Sequence, residues 1–260
     1  MSLAPDLIDF AHTLADAARA ETLGRFRQAV ETANKDEGGG FDPVTEADRA
    51  AERAMRALIE RHHPGHGVKG EEFPERPSAG RYAWGLDPID GTRAFICGLP
   101  SWVTLIALLE DDRPVAGIID APALGERYSG LSDEAHLDAP GRRPIRTSGC
   151  RSLGDARLST TDPFLFVGDE EARFARLRGA ARTVRYGLDG YAYARLAAGS
   201  IDLVAESGLK PYDYEALIPV VRAAGGVIGD WQGGDDFGAG RVLAAATPWL
   251  FEEAVDILNR

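Results

Sequence analysis

Trp84-Gly-Leu-Asp87-Pro88-Ile89-Asp90-Gly91-Thr92-Arg-Ala-Phe95 closes an apolar run of β-strand character with two carboxylates set around a Pro-Ile pair, then Gly-Thr. Proline cannot donate to a sheet ladder, and Gly91 permits backbone angles that other residues resist, so the strand is predicted to stop here and turn. A tight turn aims Asp87, Asp90 and an intervening carbonyl at one point, the arrangement a hard divalent cation with oxygen ligands needs. The same residues also read as an Asp-Pro turn followed by an Asp-Gly turn, and taken alone they leave both possibilities open.

Downstream of this stretch, Trp102 to Leu109 reads as a buried strand, Asp111-Asp112-Arg113 as a hairpin turn and Pro114 to Ile119 as its partner. Further short strands are expected around Tyr128, His136-Leu137 and Ile145-Arg146. Upstream, apolar residues at helical spacing (Leu7, Phe10, Leu14, Ala17, Ala18) predict a first helix from about Pro5 to Thr32, followed by a Gly38-Gly39-Gly40 loop. Phe41 to Asp48 opens a second helix with Thr45 as N-cap and Asp48 three residues on, a pattern that a capping box explains on structural grounds alone. That helix ends before His62-His63-Pro64-Gly65; adjacent positions face different ways, so the histidine pair is read as a favourable charge at a helix C-terminus rather than a metal site. Gly67 to Glu72 reads as a strand ending in two acids, a pattern that by itself fits solvated edge charge.

Antiparallel strands flanked by two helices make residues 1–148 an α+β half. The pattern changes near Ser148 to Ser152, and from 149 to 260 strands and helices alternate as in an α/β layer, including helices over Asp169 to Leu177, Tyr191 to Ala198, Tyr212 to Ala224 and Pro248 to Leu258. The two halves are expected to form a single compact unit.

The 260 residues carry a net charge of −12, which argues against non-specific nucleic-acid binding and against adhesion to an anionic membrane. An anionic substrate would then need a local source of positive charge, which a bound cation can supply. Cys97 and Cys150 show neither zinc-site nor disulfide spacing. The opening Met-Ser-Leu-Ala-Pro-Asp lacks a basic region followed by an apolar core, and no run approaches membrane-spanning length, so a cytoplasmic location is expected. Gly70-Glu71-Glu72, Asp87 to Thr92 and Lys210-Pro-Tyr-Asp213 each offer carboxylates at the end of an element. Several such groups crowded together would repel one another and take up protons unless a cation joined them.

In their order along the chain, Asp42-Pro-Val-Thr-Glu-Ala-Asp48, Gly70-Glu71-Glu72, Trp84 to Phe95, and Tyr212-Asp213 leading to Ala224-Gly-Gly226 resemble the inositol monophosphatase superfamily of magnesium-dependent small-molecule phosphatases. Gly208 to Trp231 and Gly91-Thr-Arg-Ala-Phe95 are most similar to its histidinol-phosphate phosphatase branch. Tyr212 stands where the family usually has Trp, and the loop around Lys35 differs in length, so the family lysine's role is not carried over.

The resemblance implies a layered αβαβα sandwich with an N-terminal antiparallel sheet and a C-terminal mixed sheet, acting as a homodimer on a small phosphate monoester. It assigns one Mg2+ to Glu71, Asp87 and the Ile89 carbonyl and a second to Asp87, Asp90 and Asp213, with a third, looser ion near Glu71. The phosphate would lie over the backbone amides of Gly91 and Thr92, and Thr92, hydrogen-bonded to Asp48, would take or relay a proton from the attacking water. Asp213, Glu206 and the region Arg185 to Asp189 would surround the rest of the substrate, with Glu206 or Asp189 pairing with the amine of histidinol phosphate. Hydrolysis of inositol or other sugar phosphates is the second reading, and a non-catalytic binding protein on the same fold the third.

Overall fold

The computed structural model describes residues 5–28, 32–34 and 43–260. The Gly38-Gly39-Gly40 loop, Lys35 and Asp42 lie outside the described residues. The first elements are α1 (Pro5–Leu23), β1 (Thr32–Asn34), β2 (Pro43–Thr45), α2 (Glu46–His62), β3 (Gly67–Gly70), β4 (Tyr82–Asp90), α3 (Thr92–Ile96), β5 (Val103–Glu110) and β6 (Arg113–Ala121). They are followed by β7 (Glu126–Leu131), β8 (Glu134–Ala139) and β9 (Gly141–Pro144). Strands β3 to β9 form one sheet in chain order, antiparallel except for the parallel β3–β4 pair.

The second half contains β10 (Arg157–Thr160), α4 (Asp169–Ala180), β11 (Thr183–Tyr186), α5 (Gly190–Ala197), β12 (Leu203–Glu206), α6 (Pro211–Tyr214), α7 (Leu217–Ala223), β13 (Val227–Gly229), β14 (Val242–Ala245) and α8 (Pro248–Leu258). Its five strands form a mixed sheet in the order β11-β10-β12-β14-β13.

The period of two along each strand builds the layers. Trp84 and Leu86 of β4, with Ile106 and Leu108 of β5, face α1 and α2 through Leu7, Leu14, Met55 and Ile59. The opposite residues, Val103, Leu105, Ala107 and Leu109, pack with Tyr193, Leu196, Leu217 and Val220 of α5 and α7, which also cover Val204, Val242 and Ala244 of the second sheet. Leu203, Ala205, Leu243 and Ala245 point the other way, onto Phe174 and Leu177 of α4 and Leu250 and Phe251 of α8. The order is therefore helix, sheet, helix, sheet, helix.

Three expectations are corrected. The first helix ends at Leu23 rather than near Thr32: Gly24 follows, and Phe26 leaves the helical path to pack on Phe95 and Trp102, with ring centroids 5.4 Å away in each case. The helix expected over Tyr212 to Ala224 is two helices, α6 and α7. Pro219 has no N–H for the Glu215 carbonyl that a continuous helix would offer it, and as the third residue of α7 it is in the first turn, where none is required. The third concerns β4, which continues through Pro88 to Asp90 instead of stopping before the turn.

Helix α7 approaches the first sheet closely because β6 and β7 present glycines to it. A Cβ on Gly130 would stand 2.5 Å from the Pro219 carbonyl oxygen and 2.7 Å from the Val220 nitrogen, both backbone atoms that cannot step aside. Gly130→Ala is expected to lower unfolding free energy by about 2–4 kcal/mol, at the upper end of overpacking effects. Urea denaturation measures it, and a loss below about 0.5 kcal/mol would mean that α7 can shift freely.

Candidate active site

The continuation of β4 explains how both aspartates of the opening stretch reach one place. Residues three apart in a regular strand point to opposite faces. Here Asp87 pairs with Leu105 and Asp90 with Val103, three steps on β4 against two on β5, so the strand bulges. The extra residue turns both carboxylates toward the helices between the sheets. Proline is tolerated at such a bulge, and the Pro88 carbonyl accepts a hydrogen bond from Thr104 Oγ1 at 2.7 Å. The chain turns at Gly91, whose φ of 87° is strained for other residues, and a side chain there would also press on Asp189 Oδ2.

Asp213 comes from the second half. It sits in the first turn of α6, behind Pro211, where the Lys210 N–H donates to its Oδ2 at 2.7 Å. Asp87, Asp90 and Asp213 each bring a carboxylate oxygen within 4.8 Å of the other two. Glu71, Ile89, Gly91, Thr92, Arg93, Thr161 and Asp189 complete the walls of a cavity of about 200 Å³.

These carboxylates are held against their ordinary chemistry. Burial, then the charges of Glu71, Asp90 and Asp213, pushes Asp87 well above the usual carboxylate range. Burial and the neighbouring Asp189 and Asp213 do the same to Asp90, and burial pushes Asp213 up to about 7. Among the described residues, Asp87 Oδ1 is buried with no hydrogen-bond partner, as is Asp48 Oδ1 nearby. An all-oxygen donor set with unpaired buried acceptors fits a hard divalent cation, which neutralises the repulsion and fills the unused lone pairs.

Asp48 forms the expected capping box: its Oδ2 accepts from the Thr45 N–H at 2.8 Å and from Thr45 Oγ1 at 2.5 Å. Ala47 packs with Ile89, Ala94 and Phe95, bringing the start of α2 beside α3. The expected hydrogen bond between Thr92 and Asp48 is not formed. Thr92 begins α3 and turns its hydroxyl back to the Ile89 carbonyl at 3.0 Å, while Thr45 occupies the inner oxygen of Asp48. Burial pushes the Asp48 carboxyl up to about 6 against the effect of Thr45.

Of the residues expected around the rest of the substrate, Asp189 lines the cavity; Glu206 and Arg185 do not. The chain turns sharply at Gly187 and Asp189, with φ of 77° and 48°, and this brings Asp189 to the wall. Arg185 stays exposed on β11, an edge strand. Glu206 stands behind Thr161, whose N–H and Oγ1 donate to its Oε1 at 2.7 and 3.1 Å, while Thr160 Oγ1 donates to Oε2 at 3.2 Å. Burial, reinforced by Asp189, pushes Glu206 up to about 8; burial pushes Asp189 up to about 6, against the pull of Arg93.

Sequence reasoning missed Thr161 and Arg93, for which ordinary polar residues gave no signal, and it missed Glu52. This glutamate is fully buried and accepts from the Glu72 N–H at 2.7 Å and from Arg56 Nε at 2.6 Å, so it anchors the segment carrying Glu71. Gly70 leaves room for its carboxylate. An acid among Ala47, Ala51, Met55 and Ile59 on the buried side of α2 was the available clue.

The inositol monophosphatase family model matches residues 5–259. The chain is 44% identical to the bifunctional phosphatase IMPL2, chloroplastic, of Arabidopsis thaliana over 85% of its own length, and spans 63% of that relative. It is 37% identical to the histidinol-phosphatase of Streptomyces coelicolor, covering 98% of this chain and 99% of that one. Among solved structures, an inositol monophosphatase from Zymomonas mobilis superposes with a TM-score of 0.87 at 42% identity, covering 100% of both chains. A match along nearly the whole chain, over a fold that gathers its acids into one cavity, makes this protein a member of the inositol monophosphatase family, metal-dependent hydrolases of phosphoric monoesters.

Proposed function

We propose that the protein hydrolyses L-histidinol phosphate to L-histidinol and phosphate with Mg2+ as cofactor. The observation that carries the substrate is Asp189, a carboxylate on the cavity wall close to the metal-ligand set, suited to an ammonium group. Histidinol phosphate is cationic at that end, whereas inositol phosphate is not. The Streptomyces relative, similar from end to end, supports the same choice. An inositol phosphate is the second reading, favoured by the 42% identity to the Zymomonas enzyme.

Glu71, Asp87, Asp90, Asp213 and the Ile89 carbonyl would hold the Mg2+ ions. Bound there, Mg2+ would supply Lewis acidity and would bring the pKa of water toward neutrality. The amides of Gly91 and Thr92 receive phosphate oxygens, with no side chain at Gly91 to keep them away. Asp48 does not itself line the cavity, and its unpaired Oδ1 is the acceptor for a proton that Thr92 takes or relays from the attacking water. Relay through Thr92 requires its hydroxyl to leave the Ile89 carbonyl. Asp189 binds the amine, and Thr161 separates that wall from Glu206.

Steady-state kinetics with Mg2+ on histidinol phosphate, inositol 1-phosphate and a nucleoside monophosphate test the reading. The expected result is a kcat/KM for histidinol phosphate at least about tenfold above the others, equivalent to about 1.4 kcal/mol, the scale of one charged contact. A tenfold preference for inositol 1-phosphate would reject it.

A further inference from the structure

The buried oxygen of Tyr193 needs a different explanation from the others around the cavity. Tyr193 on α5 is 1% exposed, and among the described residues its hydroxyl has no hydrogen-bond partner. Asp48 Oδ1 and Asp87 Oδ1 are unpaired acceptors, which a proton and a cation respectively satisfy. A phenol hydrogen needs an acceptor instead. Leaving it unmade is unfavourable, and phenylalanine would fill the same core space without that penalty, so packing explains the ring but not the oxygen.

The helix places Tyr193 on the face of α5 that meets Asp90. Gly190, three residues earlier and on the same face of α5, already donates its N–H to Asp90 Oδ2. Long helical side chains lean back toward the helix N-terminus, which carries the Tyr193 ring toward that contact. Burial, then the charges of Glu206, Asp90 and Asp213, raises the phenol far above its ordinary value, so it stays a neutral donor among carboxylates.

We propose that Tyr193 is a positioning residue of the cation site: its hydroxyl, unpartnered among the described residues, becomes the donor to Asp90 when the cavity holds a divalent ion and orients that carboxylate toward it. The proposal rests on the Mg2+ reading above. Donors behind metal-binding carboxylates fix ligand geometry, and their removal weakens binding by about 10–100-fold.

The test is Tyr193→Phe, which keeps the ring and removes one atom. Mg2+ binding is measured by calorimetry on chelator-stripped protein, and melting is followed with and without the ion. The expected result is a Kd for Mg2+ raised about 10–100-fold, with the stripped protein melting at the wild-type temperature or above it. A Mg2+-induced near-UV tyrosine difference band, present in the wild type and missing in the variant, is the second readout. An unchanged Kd overturns the proposal, including when the stripped variant melts lower, which would make the hydroxyl purely structural. An unchanged Kd with a raised KM would move the acceptor to Glu206 and overturn the assignment to Asp90. Equal binding by both proteins leaves the Mg2+ reading standing, whereas no binding by either removes both.

Discussion

Asp90→Asn lowers kcat for phosphate release by about 10³-fold at saturating Mg2+, equivalent to about 4 kcal/mol of transition-state stabilisation. Asparagine keeps the size of the side chain and an oxygen for the Gly190 N–H, so the loss is one of charge and not of shape. The same substitution acts in the opposite direction on the stripped protein. Asp90 is pushed up by burial and by Asp189 and Asp213, and a neutral amide removes that repulsion, so the melting temperature without metal should rise. Phosphate-release kinetics and melting in a chelator measure the two effects. Unchanged turnover, or a stripped variant less stable than the wild type, would show that the acids do not act together as a cation site.

Without cation, stability falls as pH rises from about 4 to about 8. Unfolded carboxyls titrate near pH 4, whereas burial holds Asp48 and Asp189 at about 6, Asp213 at about 7 and Glu206 at about 8, with Asp87 and Asp90 also raised. For an acid raised by folding, the native state binds more protons than the unfolded state between the two pKa values. Unfolding free energy therefore declines through that window and levels off above it. Asp202, where bonds to Arg157 and Ser148 outweigh burial, works in the opposite sense and only in the acid range below that window. The expected fall in melting temperature between pH 5 and 8 is about 10 °C in chelator, and Mg2+ should recover most of it at pH 8, where the acids are charged. Scanning calorimetry across pH with and without Mg2+ measures this. A flat profile in chelator, or equal Mg2+ stabilisation at pH 5 and 8, would contradict the electrostatics of the cavity.

Much of the architecture was legible along the chain. Alternation in Trp102 to Leu109 marks β5, Asp111-Asp112 marks its hairpin with φ of 50° and 60°, and Pro248 to Leu258 matches α8. These features are local: a period or a turn chemistry suffices to recognise them. The errors came from distant partners. Phe26 ends the first helical path early because Phe95 and Trp102 receive it, and β4 runs on through Pro88 because Thr104 of β5 satisfies the carbonyl at the bulge.

The site divides in the same way. By itself the chain determined which carboxylates it has, their placement at the ends of elements, and the family motifs around Asp48, Glu71, Asp87 and Asp213. Only the tertiary structure decided that a three-for-two bulge turns Asp87 and Asp90 the same way, and that Asp189 rather than Glu206 or Arg185 reaches the wall. It also buried the hydroxyl of Tyr193 with no hydrogen-bond partner among the described residues. Residue type records the capacity of a group to bind a proton or a cation. Whether it does so depends on burial and on charges that folding brings from far along the chain, as the separation of Asp87 from Asp213 illustrates.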